Sequence, residues 1–136
     1  MTASEKISMK LYHYTCWDMA RRILADRVIR PWPIVADEGP RGEVIPTGFP
    51  DDTRVVWLTN LEQPDRQALG LTSHILTCDR TEVRFTVDVP ATRWDDFAGL
   101  ANPRWRRRKE KRRRPWTWWV YPLPISSFEH ERSTVP

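Results

Sequence analysis

The sequence predicts a single α+β domain, an antiparallel or mixed β-sheet carrying one or two short helices, on three observations. Its 136 residues are 40% hydrophobic and 29% charged, enough apolar surface for one core and too little length for two. Residues Glu82 to Val89 alternate strictly, with Val83, Phe85, Val87 and Val89 on one face and Glu82, Arg84, Thr86 and Asp88 on the other, the signature of a half-buried antiparallel strand. Near the N-terminus, a short aromatic alternation passes directly into apolar residues at helical spacing.

Taken in order, Met1 to Ser8 is polar. From Met9, Leu11 and His13 fall on one strand face and Tyr12 and Tyr14 on the other. Thr15 followed by Asp18 reads as a capping-box start, and Trp17, Ala20, Ile23 and Leu24 give one face of a helix about ten residues long. The prolines at 31 and 33 hold Val28 to Pro33 extended. Residues Asp37 to Thr53 carry Gly39, Pro40, Gly42, Pro46, Gly48 and Pro50 and predict a long loop. Val55 to Thr59 is a buried strand, Leu61 to Thr77 is ambiguous around Gly70, and Arg93 to Leu100 is a short helix or turn. Trp116 to Tyr121 and Ile125 to Glu131 complete the strands.

Charge is unevenly distributed. The formal net charge is +4, yet Arg104 to Arg114 holds nine of the 22 basic residues and one of the 18 acids, leaving 13 bases against 17 acids elsewhere. A mildly acidic body with one cationic segment points to docking rather than general basicity. Two cysteines, Cys16 and Cys78, are too few for a disulfide framework or a paired zinc site, and both are expected as reduced thiols. No window is long and apolar enough to cross a membrane, and residues 1 to 10 lack the apolar core of a secretory signal. A cytoplasmic protein without a membrane partner is expected. No His-Glu-x-x-His spacing, phosphate-cradling glycine loop or nucleophile elbow is present, and no metal is expected. Of the eight tryptophans, Trp17, Trp57 and Trp119 fit core positions; Trp32, Trp94, Trp105 and Trp116 fall near turns or charges, where a cleft or an interface is expected.

The run Leu11-Tyr12-His13-Tyr14-Thr15, then Ile23-Leu24, Val28-Ile29-Arg30-Pro31 and Val56-Trp57-Leu58-Thr59, resembles the front half of small bacterial and phage ADP-ribosyltransferase-like domains, over about residues 9 to 60. The resemblance implies a split sheet around a cleft that holds NAD, the substrate. It implies that His13, with Tyr14 and Thr15, meets the ribose, and that Trp57 and Thr59 line the nicotinamide pocket. It further implies displacement of nicotinamide through an oxocarbenium-like state, stabilised by a glutamate on a late strand. Here the sequence departs from the family: Trp116 to Tyr121 contains no acid. Glu129 and Glu131, with His13, are the candidate catalytic residues, and Glu82 is a further option; a solvated surface role for the acids competes with that assignment.

The second candidate site is the basic segment at 104–115, expected to be exposed and flexible. Arg104, Arg106, Arg107, Arg108, Lys109, Lys111, Arg112, Arg113 and Arg114 offer pairs of forks to phosphates, and Trp105 and Trp116 offer rings to bases. Nucleic acid is the first partner to consider and an acidic protein the second. The functional expectation is transfer of ADP-ribose to a nucleic-acid or protein acceptor. The alternatives are a non-catalytic module that binds nucleic acid or an acidic partner, and an NAD hydrolase on the same fold.

Overall fold

The computed structural model describes residues 9–65, 68 and 79–132. Strand β1 (Met9–Thr15) leads into helix α1 (Trp17–Asp26). Short strands β2 (Trp32–Pro33), β3 (Asp37–Glu38) and β4 (Val44–Ile45) precede β5 (Arg54–Thr59) and β6 (Val83–Val89). Then come β7 (Thr92–Arg93), α2 (Trp94–Phe97) with a 3-10 turn at Ala98–Leu100, α3 (Pro103–Glu110), a second 3-10 turn at Pro115–Thr117, β8 (Trp118–Tyr121) and β9 (Glu129–Arg132). The α+β class and the antiparallel sheet follow directly from this composition of elements.

The main sheet runs β7-β8-β5-β1-β6-β9, with β2 added to β5, and every pairing is antiparallel. Its joints are unequal. Strands β1 and β6 pair over seven positions, from Met9↔Val89 to Thr15↔Val83, and β5 and β8 pair over four. Between β1 and β5 a single pair forms, Tyr12↔Thr59. The sheet therefore has two parts, β7-β8-β5 with β2 added and β1-β6-β9, joined through one register pair.

Two cores flank the sheet, and the first spans both parts. On one face Leu11, Val83, Phe85, Val87, Val56 and Leu58 meet Ala20 and Ile23 of α1, with Ile29 and Ile125 closing the cluster through an isolated bridge. On the other face of the β5 half, Val55, Trp118 and Val120 meet Ile45, Phe49, Trp94, Ala98 and Trp105. Trp94 and Trp105 are fully buried, so the turn-and-charge reading of these two indoles is overturned. Trp57, expected in the core, is 37% exposed. Its ring lies against the edge of this second core, 4.9 Å from Trp94 and 6.0 Å from Trp118.

Helix α1 starts differently from the sequence prediction. Thr15 stays in β1, Cys16 takes the N-cap position without a side-chain hydrogen bond, and Glu82 Oε1 accepts from Trp17 N at 2.8 Å. A distant carboxylate thus serves the orphan amide that a local cap would serve. Cys16 is disulfide-bonded. This overturns the expectation of a reduced thiol there; Cys78 lies outside the described residues. No helix among the described residues is long and apolar enough to cross a membrane.

The proline- and glycine-rich stretch contains the β3–β4 hairpin and docks on the start of α3, where Asn102 N donates to Thr47 O at 2.7 Å. Gly48 has φ +86°, and a Cβ there would collide with the backbone of Ala101 and Asn102. Replacement of Gly48 by Ala is expected to destabilise the protein by about 1–3 kcal/mol from the left-handed backbone alone, with the collision added. Urea denaturation of Gly48→Ala checks this, and an unchanged midpoint would contradict the docking of this loop.

Candidate functional site

His13 occupies the parting of the sheet. One residue beyond the Tyr12↔Thr59 pair, its Nδ1 lies 2.9 Å from the carbonyl oxygen of Trp57. A carbonyl only accepts, so Nδ1 carries the proton. Nε2 is then the unprotonated nitrogen, with its lone pair free to accept a hydrogen bond. Loss of hydration by burial holds the imidazole below its ordinary value of 6.5, outweighing the opposing effect of the Trp57 carbonyl, so the ring is neutral at pH 7. The side chain is half-buried on the α1 face, with its ring centroid 6.4 Å from that of Phe85.

Alternation separates the residues expected to join His13. Thr15 shares its face and is buried. Tyr14, Trp57 and Thr59 project from the opposite face, and Thr59 Oγ1 accepts from Leu61 N at 3.1 Å. The convergence of the imidazole at 13 with the indole at 57 in one pocket is therefore not found. Backbone joins them: the imidazole holds the Trp57 carbonyl while the indole lies across the sheet. A different indole, Trp119, shares the His13 face, on β8 beyond β5, and packs against the same core. Its Nε1 is buried without a hydrogen-bond acceptor among the described residues. Such donors rarely go unsatisfied, and this one has no surface open to a ligand.

The candidate glutamates lie elsewhere. Glu129 and Glu131 pair with Thr86 and Arg84 on β9, the outer edge of the sheet, and are exposed. Strand β6 separates them from β1, so they stand roughly 10 Å of sheet width away from it, on the face opposite His13. Glu131 forms an ion pair with Arg84. Glu82 is engaged at the start of α1 and lies 3.6 Å from Arg132. The sequence reading missed what occupies the Tyr14 face. The Tyr14 hydroxyl donates at 2.8 Å to the carbonyls of Leu61 and Glu62, and Arg84 donates to the Glu62 carbonyl at 2.6 Å. The Arg84 guanidinium also covers the Tyr12 ring at 4.8 Å. Burial pushes the Tyr14 phenol up to about 12, against the pull of Arg84. These bonds tie Tyr14 to the chain after β5, a structural role rather than a free ribose contact.

The basic segment is an ordered element, in contrast to the flexible arm that charge repulsion alone predicts. Asn102 Oδ1 caps α3 by accepting from Arg104 N and Trp105 N at 2.9 and 3.2 Å, and Pro103 takes the first helical position. Trp105 is fully buried and donates from Nε1 to Val35 O at 3.1 Å, so it is an anchor and not a stacking surface for bases. Glu110 accepts at 2.7 Å from both Trp94 Nε1 and Arg106 Nε. Four cations are held by carboxylates: Arg104 by Glu43, Arg106 by Glu110 and Asp95, Arg108 by Asp37, and Arg114 by Asp65. The hydrogen bond from Arg108 is the main reason the Asp37 carboxyl lies below the usual carboxylate range. Arg112 adopts φ +60°, a conformation that costs a non-glycine residue about 1–2 kcal/mol, and it turns the chain back against α3. Arg113 then donates to the carbonyls of Glu110 and Lys109 at 3.0 and 2.8 Å. An open cavity of about 400 Å³ results, lined by Asp37, Arg108, Lys109, Lys111 and Arg113. Trp116 is 59% exposed.

Among the described residues no group of three or more His, Cys, Asp or Glu could hold a metal ion. Comparison of the chain with protein-family models, curated proteins and solved structures finds no match.

The buried imidazole makes stability depend on pH. The unfolded chain takes up its proton near 6.5, whereas His13 in the fold does so only at lower pH. The neutral ring's contribution is thus complete above the unfolded value and is lost as pH falls through 6.5 toward the depressed folded value. Denaturation midpoints measured between pH 7.5 and 5 are expected to fall in the wild type and to flatten in His13→Gln. An equally steep fall in both proteins would place the dependence elsewhere.

Proposed function

We propose that the protein is an ADP-ribosyltransferase-like domain that binds NAD, or a related nucleotide, where its sheet parts. The observation that carries this reading is the single Tyr12↔Thr59 pair between the two halves, with the His13 imidazole set immediately beside it. A split sheet with a histidine at the end of its first strand is what the resemblance of residues 9 to 60 implies. The protonation state supports it as well. With Nδ1 committed to the Trp57 carbonyl, a neutral His13 presents Nε2 as an acceptor for a ribose hydroxyl, and burial keeps that lone pair available at pH 7.

Displacement of nicotinamide from the ribose would develop positive charge at the sugar, and a carboxylate opposite His13 would stabilise it. Glu129 and Glu131 face the other side of the sheet from its outer edge, so the proposal gives them no part in that step. Nucleotide binding is the core of the reading, and transfer of ADP-ribose is the activity to look for beyond it.

Titration of the full chain with NAD, followed by tryptophan fluorescence, tests the proposal. Saturable binding in the micromolar to millimolar range common for enzyme substrates is expected, roughly tenfold weaker in His13→Ala, the equivalent of one good hydrogen bond. His13→Asn, which can donate from its side-chain amide to the Trp57 carbonyl, controls for loss of the fold. Absence of binding by the wild type would sink the proposal. Labelled NAD in the same samples reads the chemistry: label on an added acceptor marks transfer, and nicotinamide release without one marks hydrolysis.

A further inference from the structure

Several exposed arginines are paired with carboxylates: Arg21 with Asp18, Arg30 with Asp26, Arg104 with Glu43, Arg108 with Asp37, Arg114 with Asp65 and Arg132 with Glu82. Between positions 107 and 113 cations without such a partner are concentrated. Arg107, Lys109, Lys111, Arg112 and Arg113 have no carboxylate partner among the described residues, five cations in seven positions. Like charges this close repel, and in a mobile arm they would spread apart. Here they are held together. Trp105 roots α3 in the core, Asn102 caps it, Lys109 lies 5.6 Å over the Trp105 ring, and Arg112 in the left-handed region folds Arg113 back beside Lys109. Lys109, Lys111 and Arg113 consequently line one open cavity with Arg108, whose own charge is taken up by Asp37.

We propose that this cavity and the turn beyond α3 form a docking surface for single-stranded nucleic acid, with its phosphates in the cavity and a base on the exposed ring of Trp116. Charge complementarity selects a polyanion: a fixed cluster of uncompensated cations is stabilised by phosphates and destabilised by its own repulsion without them. Trp116 selects the kind of polyanion. It follows Arg113 by three residues, in the 3-10 turn after Arg114, and is 59% exposed. An open indole beside phosphate-binding cations suits an unpaired base, whose face is free to stack, better than an acidic peptide, which has no such face, or a duplex, whose bases are already stacked. The surface lies on different elements from His13, so the inference does not rest on the nucleotide reading, and either can fail alone.

Fluorescence anisotropy of a labelled twelve-nucleotide oligothymidylate against the full chain provides the test. Binding is expected to weaken linearly in a double-logarithmic plot against salt, with a slope near −3.5 if all five cations meet phosphates at about −0.7 each. Lys111→Ala combined with Arg112→Gly should flatten that slope by about 1.4. Arg112→Gly also removes the strained backbone, so the double variant should melt no earlier than the wild type while binding more weakly, a combination that unfolding cannot imitate. Trp116→Ala should weaken binding at least about fivefold with the salt slope unchanged. Equal affinity for a duplex or for polyglutamate of matched charge, indifference to Trp116→Ala, or no binding in 50 mM salt would each overturn the proposal.

Discussion

The hydrogen bond from His13 Nδ1 to the Trp57 carbonyl is the constraint around which the candidate site is arranged. Where β1 and β5 stop pairing, the carbonyl at Trp57 would otherwise lack a donor from β1. A side chain fills the place of a ladder bond. The consequence is chemical as well as structural: the bond fixes the tautomer, the burial that accompanies it keeps the ring neutral, and Nε2 is left as the polar atom facing away from the backbone. The interaction thus bridges the joint between the two parts of the sheet and equips it with an acceptor.

The rest of the architecture keeps that gap defined. The β1-β6-β9 half is backed by α1 through Ala20 and Ile23, and Glu82 at the start of β6 holds the first amide of that helix. The β7-β8-β5 half is backed by an aromatic cluster in which Trp94 meets Trp118 edge to face and Trp105 at a tilt, around Val55 and Val120. The core under α1 packs Val56 and Leu58 of β5 against Leu11 and Phe85, so it crosses the joint and holds the two parts together. The same aromatic cluster supports the cationic surface, because Trp105 belongs to α3 and to the core at once. A buried indole converts a sequence that electrostatics would leave extended into a helix.

Much of this was legible in the sequence, and the failures have physical causes. The alternation from Glu82 to Val89 gave β6 with the correct inward face, and the spacing of Ala20 and Ile23 gave α1. Local pattern misassigned Trp94 and Trp105 because each sits beside charge in sequence, while tertiary packing decides burial; Asn-Pro at 102–103 was the cap signal that a helix began there. The pairing of His13 with Trp57 failed for a simpler reason. Which strand residues share a face depends on register between strands, and Tyr12↔Thr59 puts odd positions of β1 opposite even positions of β5. Nothing in either strand alone carries that information. Trp119 and Arg84 were passed over because an unsatisfied indole nitrogen and a guanidinium crossing from strand to loop exist only in three dimensions.

Long-range proton–nitrogen correlation NMR of the His13 ring, assigned by the signals lost in His13→Gln, addresses the central claim most directly. A neutral ring at pH 7 with Nδ1 protonated and Nε2 bare is expected, its Nε2 shift moving when NAD is added. A charged ring, or a proton on Nε2, would contradict the arrangement at the parted strands and with it the acceptor on which the proposed nucleotide binding depends.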